Sequence, residues 1–440
     1  MDHPKIPKSF GYSTAAALVI ASMIGTGVFT TLGLQAQEIQ TGFALLCLWG
    51  VGGLIAMTGA LSYGELAAAM PRSGGEYHFL AHIYHPVLGT AAGWISVSIG
   101  FAAPSALAAM ALGRYATAFS DLSPVWIAVV TIATITAFHA VSVRTGQLFH
   151  NVTTGLKLAL IVLFCIAGLL VEPVKSVAVA PSLSGWREVF SPAFAFSLIY
   201  VSYAYSGWNA ATYVAGEVRH PQRTLPAALF HGTLLVAVLY LLLNFVFLRT
   251  IPLSQLTGKI EIGALSANYI FGGHGGLLIS AMICVLLVST ISAMVMAGPR
   301  VLQVAGEDLP RLRPLAKRTR GGAPLRAIML QQLLAIVFVL TDSFEGVLSY
   351  AGFTLNLMAL LTVAGVFVLR YTAPDLPRPY RVWGYPFTPA VFVLLNVVIL
   401  VFVLQARPVA ACASLLTVLA GVLLALLHKR RTSRKKSQSP

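Results

Sequence analysis

The run Ala21-Ser22-Met23-Ile24-Gly25-Thr26-Gly27-Val28-Phe29 places two glycines and a threonine in the middle of an apolar stretch long enough to cross a bilayer. A second run, Tyr200-Val201-Ser202-Tyr203-Ala204-Tyr205-Ser206-Gly207-Trp208-Asn209, does the same in the other half of the chain. A helix interrupted in hydrocarbon must satisfy its freed amides and carbonyls with protein, water or a bound solute. Two interruptions at matching positions in two halves point to a transporter that holds its solute near the midplane. A lone glycine in a span also has a packing reading, because small residues let helices approach closely. The Gly25/Gly27 pair beside a matched second break favours the binding reading.

Working outward, the 440 residues are 57% hydrophobic and only 10% charged, with a mean hydropathy of +0.82, far outside the range of soluble domains. A span needs about 20 apolar residues. Such runs are expected at 12–36, 42–70, 86–118, 125–143, 148–171, 189–216, 225–250, 275–305, 324–341, 346–370, 387–406 and 408–428, twelve in all. Segment 261–272 is too short to cross and reads as an interfacial helix or lid. The N-terminus lacks a cleavage signal after its first apolar stretch, which is expected to be retained.

The net charge of +15 is not a nucleic-acid patch, because it lies on one side of this topology. Of 29 Lys and Arg residues, 22 fall in the two tails and alternate loops or at the span ends beside them, 6 in or beside the intervening loops, and Lys157 alone lies well inside a span. The positive-inside rule then puts both termini in the cytoplasm of a cell-membrane protein. The basic end, 428–436, reads as a stop-transfer anchor or as a contact for anionic lipid.

Cys47, Cys165, Cys284 and Cys412 all fall in hydrophobic spans and read as packing residues. No Cys/His cluster has metal spacing, no G-x-S-x-G elbow is present, and no phosphate-binding Gly-rich loop ends in Lys and Ser or Thr. ATP-driven transport is disfavoured and no cofactor is expected.

If spans 1–5 and 6–10 are two repeats, each break lies in the first helix of its half. Five spans per half is odd, so the halves enter from opposite faces as an inverted pair. The organisation expected is a cytoplasmic tail (1–11), a ten-helix transport core (12–370), two additional spans (371–428) and a basic tail (429–440). The fold class is an all-α integral membrane protein with helices 1 and 6 broken.

Several motifs resemble those of amino-acid permeases in the amino acid–polyamine–organocation superfamily. Gly25-Thr26-Gly27-Val28-Phe29 is similar to that family's G-S-G-I-F element, and Tyr63-Gly64-Glu65-Leu66 with Pro71-Arg72-Ser73-Gly74-Gly75-Glu76-Tyr77 to its Y-x-E-L…P-x-S-G-G-E-Y signature. Gly207-Trp208-Asn209, Glu217…Pro221…Leu225-Pro226 and Ala297-Gly298-Pro299-Arg300-Val301-Leu302 continue the likeness over spans 1 to 10, toward the L-amino-acid transporter branch and a LeuT-type fold.

The resemblance implies a site. An amino acid's carboxylate would meet the amides of Gly25, Thr26 and Gly27 with the Thr26 hydroxyl, and its ammonium the carbonyls of Met23, Tyr203, Ala204 and Ser206. Tyr203 stands where the family carries an aromatic gate; packing is the alternative. Asn209 is expected to fix the unwound backbone, since Asn competes well for backbone partners.

Lys157 at a helix centre would cost ~2.5–3.5 kcal/mol without partners. Such a residue is functional by default, with snorkelling to the interface as the rival. By resemblance it stands where sodium-driven relatives hold their ion, near Ser289 and Ser292 of span 8. Glu65 reads as a structural partner for backbone or a basic loop residue, His139 and His231 as interfacial, and 272–276 as a hinge.

The leading expectation is a sodium-independent transporter of neutral amino acids by alternating access, an exchanger or a proton-coupled symporter according to whether Lys157 keeps or releases its proton. A neutral solute is favoured because spans 3, 6, 8 and 10 offer the pocket no obvious carboxylate. A membrane-embedded enzyme is the rival class, but it needs convergent acid, base or nucleophile groups at depth, and only Lys157 qualifies. The resemblance also includes members joined to a single-span glycoprotein through a cysteine between spans 3 and 4. Residues 119–124 here contain none, so no disulfide-linked subunit is expected.

Overall fold

The computed structural model describes residues 10–436 apart from 142, 174–178, 274, 309–311, 318, 320–323 and 342. Within the 272–276 stretch read as a hinge, His274 lies outside the described residues.

The first apolar stretch folds as α1 (Tyr12–Met23), α2 (Gly27–Thr30) and α3 (Leu32–Glu38), followed by α4 (Gly42–Ala69) and α5 (Glu76–Ile83). The third stretch is α6 (Pro86–Ile95), a π-helical segment (Ser96–Phe101) and α7 (Ala102–Ala116); α8 (Pro124–Val141) and α9 (Val143–Leu170) close the first half. In the second half, α10 (Leu183–Val189) leads into α11 (Pro192–Ala204), which stops at the second glycine break and resumes as a 3₁₀ helix, Ala210–Glu217. Then come α12 (Pro221–Thr250), α13 (Leu253–Leu256), α14 (Ile262–Phe271), α15 (Gly275–Asp308), α16 (Arg313–Ala316), α17 (Leu325–Leu340), α18 (Phe344–Thr372), α19 (Phe387–Ala406) and α20 (Pro408–Lys436). Among the described residues there is no sheet, only an isolated bridge from Phe10 to Val218.

Local chemistry sets the starts. The Ser191 hydroxyl accepts from the Phe194 amide and Pro192 occupies the first turn of α11, a cap and a proline where a helix start favours them. His85 and Pro86 do the same for α6.

Eight helices among the described residues are long and apolar enough to cross a membrane. Four of the shorter apolar ones, Pro124–Ala140, Thr154–Leu170, Pro192–Ala204 and Leu325–Leu340, fall on the other expected spans. Short α14 occupies the segment read as a lid.

The core forms where α4 and α12 run along each other, with α1 against α12 and α15 against α7. Trp49, Tyr205 and Tyr240 meet ring to ring there, with centroids 5.1–5.9 Å apart. Glu65 takes both kinds of partner: Arg370 binds it through two N–H groups at 2.9 and 2.7 Å, and the Val382 amide donates at 2.7 Å. This ties the end of α4 to the segment between α18 and α19. Cys412 is exposed on α20, against its reading as a packing residue.

Candidate functional site

At the first break α1 ends with Met23, Ile24 leaves helical geometry at ψ 85°, and the Gly25 amide turns back to donate to the Met23 carbonyl at 2.8 Å. At the second, the Ser206 amide donates to Tyr203 O at 2.9 Å and Gly207 takes φ +98°. A β-carbon on Gly207 would lie 2.7 Å from the carbonyl of Ser22. The position therefore needs glycine twice over, for its left-handed backbone and for contact with the end of α1. A β-carbon on Gly27 would lie 2.4 Å from Ala204 Cα. The glycines thus mark where the two breaks cross.

Both breaks open onto one cavity of about 100 Å³. One water needs roughly 10–15 Å³ of such space, so a solute of several non-hydrogen atoms fits. Met23, Gly25, Thr26, Gly27, Tyr203, Ala204, Ser206 and Asn209 all line it. So do Ser96, Gly100 and Phe101 of the π-helical segment. Such local widening of a helix recurs at functional sites, and here Pro104 has no amide to donate to the carbonyl of Gly100, four residues before it. Tyr203 is 6% exposed, and its hydroxyl pairs with the Thr26 side chain.

Several roles differ from expectation. The Gly25 amide is engaged by Met23 O, leaving Thr26 and Gly27 to offer amides at the first break. Met23 O already accepts two donors, the Gly25 amide and, at 2.6 Å, the Tyr240 hydroxyl, which also approaches Ala204 O at 3.3 Å. A carbonyl has two lone pairs, so Met23 O has none left for an ammonium. Tyr240 itself went unread in the sequence, yet it braces both breaks from α12. Tyr240→Phe is expected to cut transport about tenfold, in line with a buried hydrogen bond worth ~1–1.5 kcal/mol, with normal yield of folded protein; uptake kinetics beside thermal melting check it.

Lys157 is 1% exposed, and its ammonium donates to Ile24 O at 3.0 Å and to Thr290 Oγ1 at 2.8 Å. Hydrogen bonds to charged groups contribute ~1.5–3 kcal/mol each, enough together to offset the burial cost. The contact from α15 is thus Thr290, which also lines the cavity, with Ser289 buried beside it. Ser292 is turned elsewhere: its hydroxyl lies 2.7 Å from His139 Nε2. That corrects the pairing expected for Ser292, and it shows His139, read as interfacial, buried against α15. His231 is exposed and pairs with the Tyr12 hydroxyl at 3.0 Å.

Asn209 does not hold the unwound backbone with its side chain. Its amide donates to Glu76 Oε1 at 2.5 Å, and Glu76 also accepts from Tyr63 at 2.9 Å and Tyr213 at 2.5 Å. Glu76 lines the cavity, so a carboxylate reaches it from α5, outside the spans 3, 6, 8 and 10 that were read as offering none. At the same end, Arg72 and Tyr77 bind Asp308, Ser73 accepts the Gly216 amide, and Arg300 pairs with Glu217. Burial and the adjacent Asp308 carboxylate raise the Tyr77 phenol above its ordinary range, so it remains a donor.

Residues 10–426 match the family model described as amino acid permease. The chain is 25% identical to mouse b(0,+)-type amino acid transporter 1 over 417 residues, covering 92% of this chain and 84% of that protein. It is 26% identical to the human protein of that name over 414 residues, covering 91% and 82%, and 25% identical to human large neutral amino acids transporter small subunit 2 over 443 residues, covering 95% and 79%. Two broken helices around a cavity of amino-acid size, in a chain matched nearly end to end, agree with the motif resemblance: the chain belongs to the amino acid permeases of the amino acid–polyamine–organocation superfamily, multi-pass membrane transporters of amino acids and not enzymes.

Proposed function

We propose that this permease is a sodium-independent exchanger of neutral L-amino acids that works by alternating access. The observation that carries the reading is the meeting of two broken helices at one cavity with a lysine ammonium on the first break. Backbone amides of Thr26 and Gly27 receive the carboxylate, and carbonyls of Ala204 and Ser206 the ammonium. Lys157 does the work of a bound cation by tying the first break to α15. Proton-coupled symport is the second reading, supported by the same buried ammonium.

The proposal includes twelve spans, the last two outside a five-plus-five inverted repeat, and cytoplasmic termini; the 22-to-6 division of basic residues supports that orientation. One relative is named a small subunit, which argues against assuming that such a chain always stands alone. The 119–124 loop lacks a cysteine, so a partner of this chain would be held without a disulfide there.

Uptake of labelled neutral amino acids into reconstituted vesicles, preloaded or empty, with and without sodium or a proton gradient, tests the reading. Transport that requires a preloaded amino acid and ignores sodium is expected; a sodium requirement would overturn it. Tyr203 is the gate in this scheme. Tyr203→Ala is expected to lower uptake at least tenfold while Tyr203→Phe retains most of it, and equal uptake by both would return Tyr203 to packing.

A further inference from the structure

The main cavity carries an asymmetric charge that the transport scheme does not use. Among the described residues lining it, Glu76 is the only one with a formal charge. Its carboxylate is held by three donors from three places: the Tyr63 hydroxyl of α4, the Asn209 amide after the second break and the Tyr213 hydroxyl of the 3₁₀ helix. All three donate, so no proton on the carboxylate is needed to complete the set. Its side chain is nearly buried, at 5% exposure, and none of the ion pairs among the described residues includes it. The opposite charge, the Lys157 ammonium, stands behind Thr290 and the Ile24 carbonyl at the first break.

Positive charge therefore lies behind the end proposed to take the substrate carboxylate, and negative charge is fixed in the cavity wall. At a position as buried as that of Glu76, a unit charge acts over several ångströms with more force than at a surface. A zwitterion aligned between the two charges gains from both. A second carboxylate on the side chain brings like charge into the same small cavity as Glu76, and none of the described lining residues is cationic to receive it.

We infer that Glu76 sets the charge class of the substrate, reserving the cavity for amino acids without an acidic side chain. The inference rests on the proposed transport reading and adds to it a rule of selection. Discrimination of this kind is built from repulsion of the wrong ligand as much as from attraction of the right one.

The test is competition against uptake of a transported neutral amino acid at neutral pH, using glutamine, glutamate and 2,4-diaminobutyrate, which are close in size and differ in side-chain charge. In the wild type, glutamate is expected to compete at least tenfold more weakly than glutamine, and diaminobutyrate at least as well as glutamine. A gap below tenfold between glutamine and glutamate overturns the proposal. So does rejection of diaminobutyrate as strong as that of glutamate, which would mean that the cavity excludes charge of either sign. In Glu76→Gln the glutamine–glutamate gap should close to within threefold, whereas Tyr63→Phe, which removes one hydrogen bond and keeps the charge, should preserve it. An unchanged gap in Glu76→Gln overturns the assignment to Glu76. Where Glu76→Gln yields no folded transporter, the wild-type series stands as an independent trial of the rule. Absence of uptake of any neutral amino acid by the wild type would instead retire the transport reading itself.

Discussion

Gly27→Ala is expected to reduce uptake to below a hundredth of the wild-type rate, while Gly25→Ala, two residues earlier in the same break, retains a measurable fraction. The two glycines differ in what faces them. A β-carbon at position 27 would stand 2.4 Å from Ala204 Cα and 2.5 Å from its Cβ, whereas one at position 25 would meet the Thr290 methyl at 3.5 Å and Met23 O at 3.9 Å, both ordinary contacts. Overpacking in a filled core costs ~1–3 kcal/mol when side chains can yield, and here the obstacle is backbone. Relief requires α2 and α11 to part, which moves the Thr26 and Gly27 amides away from the carbonyls of the second break. Gly27→Val should do the same and also lower the amount of folded protein. The glycine's first effect is thus on the crossing of the breaks, and loss of carboxylate binding follows from it. Uptake and thermal melting of both alanine variants check this; equal behaviour of the two would remove the contact argument.

Much of this site was legible in the sequence because a glycine or a polar residue in hydrocarbon is conspicuous. The breaks and Lys157 announce themselves against an apolar background; Tyr203 was read from the family's aromatic gate, and Glu76, lying between two expected spans, was read only as part of a motif and not for its place. Its partners Tyr63, Asn209 and Tyr213 come from three separate places, and only the folded chain shows that the first turn of α5 reaches the cavity. Tyr240 was hidden for the opposite reason: a tyrosine in an apolar helix looks like packing until its hydroxyl is seen on Met23 O. The assignment of Ser292 to Lys157 failed on helical phase. Two residues along a helix turn a side chain by about 200°, which gives Thr290 the ammonium and Ser292, on the opposite side of α15, the imidazole of His139. The π-helical segment at Ser96–Phe101 left a trace that went unread, Pro104, which has no amide for the carbonyl of Gly100 and so breaks the regular ladder there.

Lys157→Ala is expected to slow transport ten- to a hundredfold with sodium still without effect. Removing the ammonium leaves Ile24 O and Thr290 Oγ1 without their donor. An orphaned buried polar group costs ~1–3 kcal/mol, and at the first break that loss falls on the unwound turn, between the end of α1 and the amides of Thr26 and Gly27. Thr290→Val removes only one acceptor and should have a smaller effect, about threefold. The same variants separate the two couplings. If the lysine stays charged through the cycle, wild-type exchange responds weakly to a proton gradient and Lys157→Ala is slower under all conditions alike. If it releases a proton each cycle, inward protons drive uptake into empty vesicles in the wild type, and that dependence vanishes in Lys157→Ala. Sodium-dependent uptake in the wild type, or unaltered transport in Lys157→Ala, would defeat both versions, leaving the lysine as a structural brace between α9, the first break and α15.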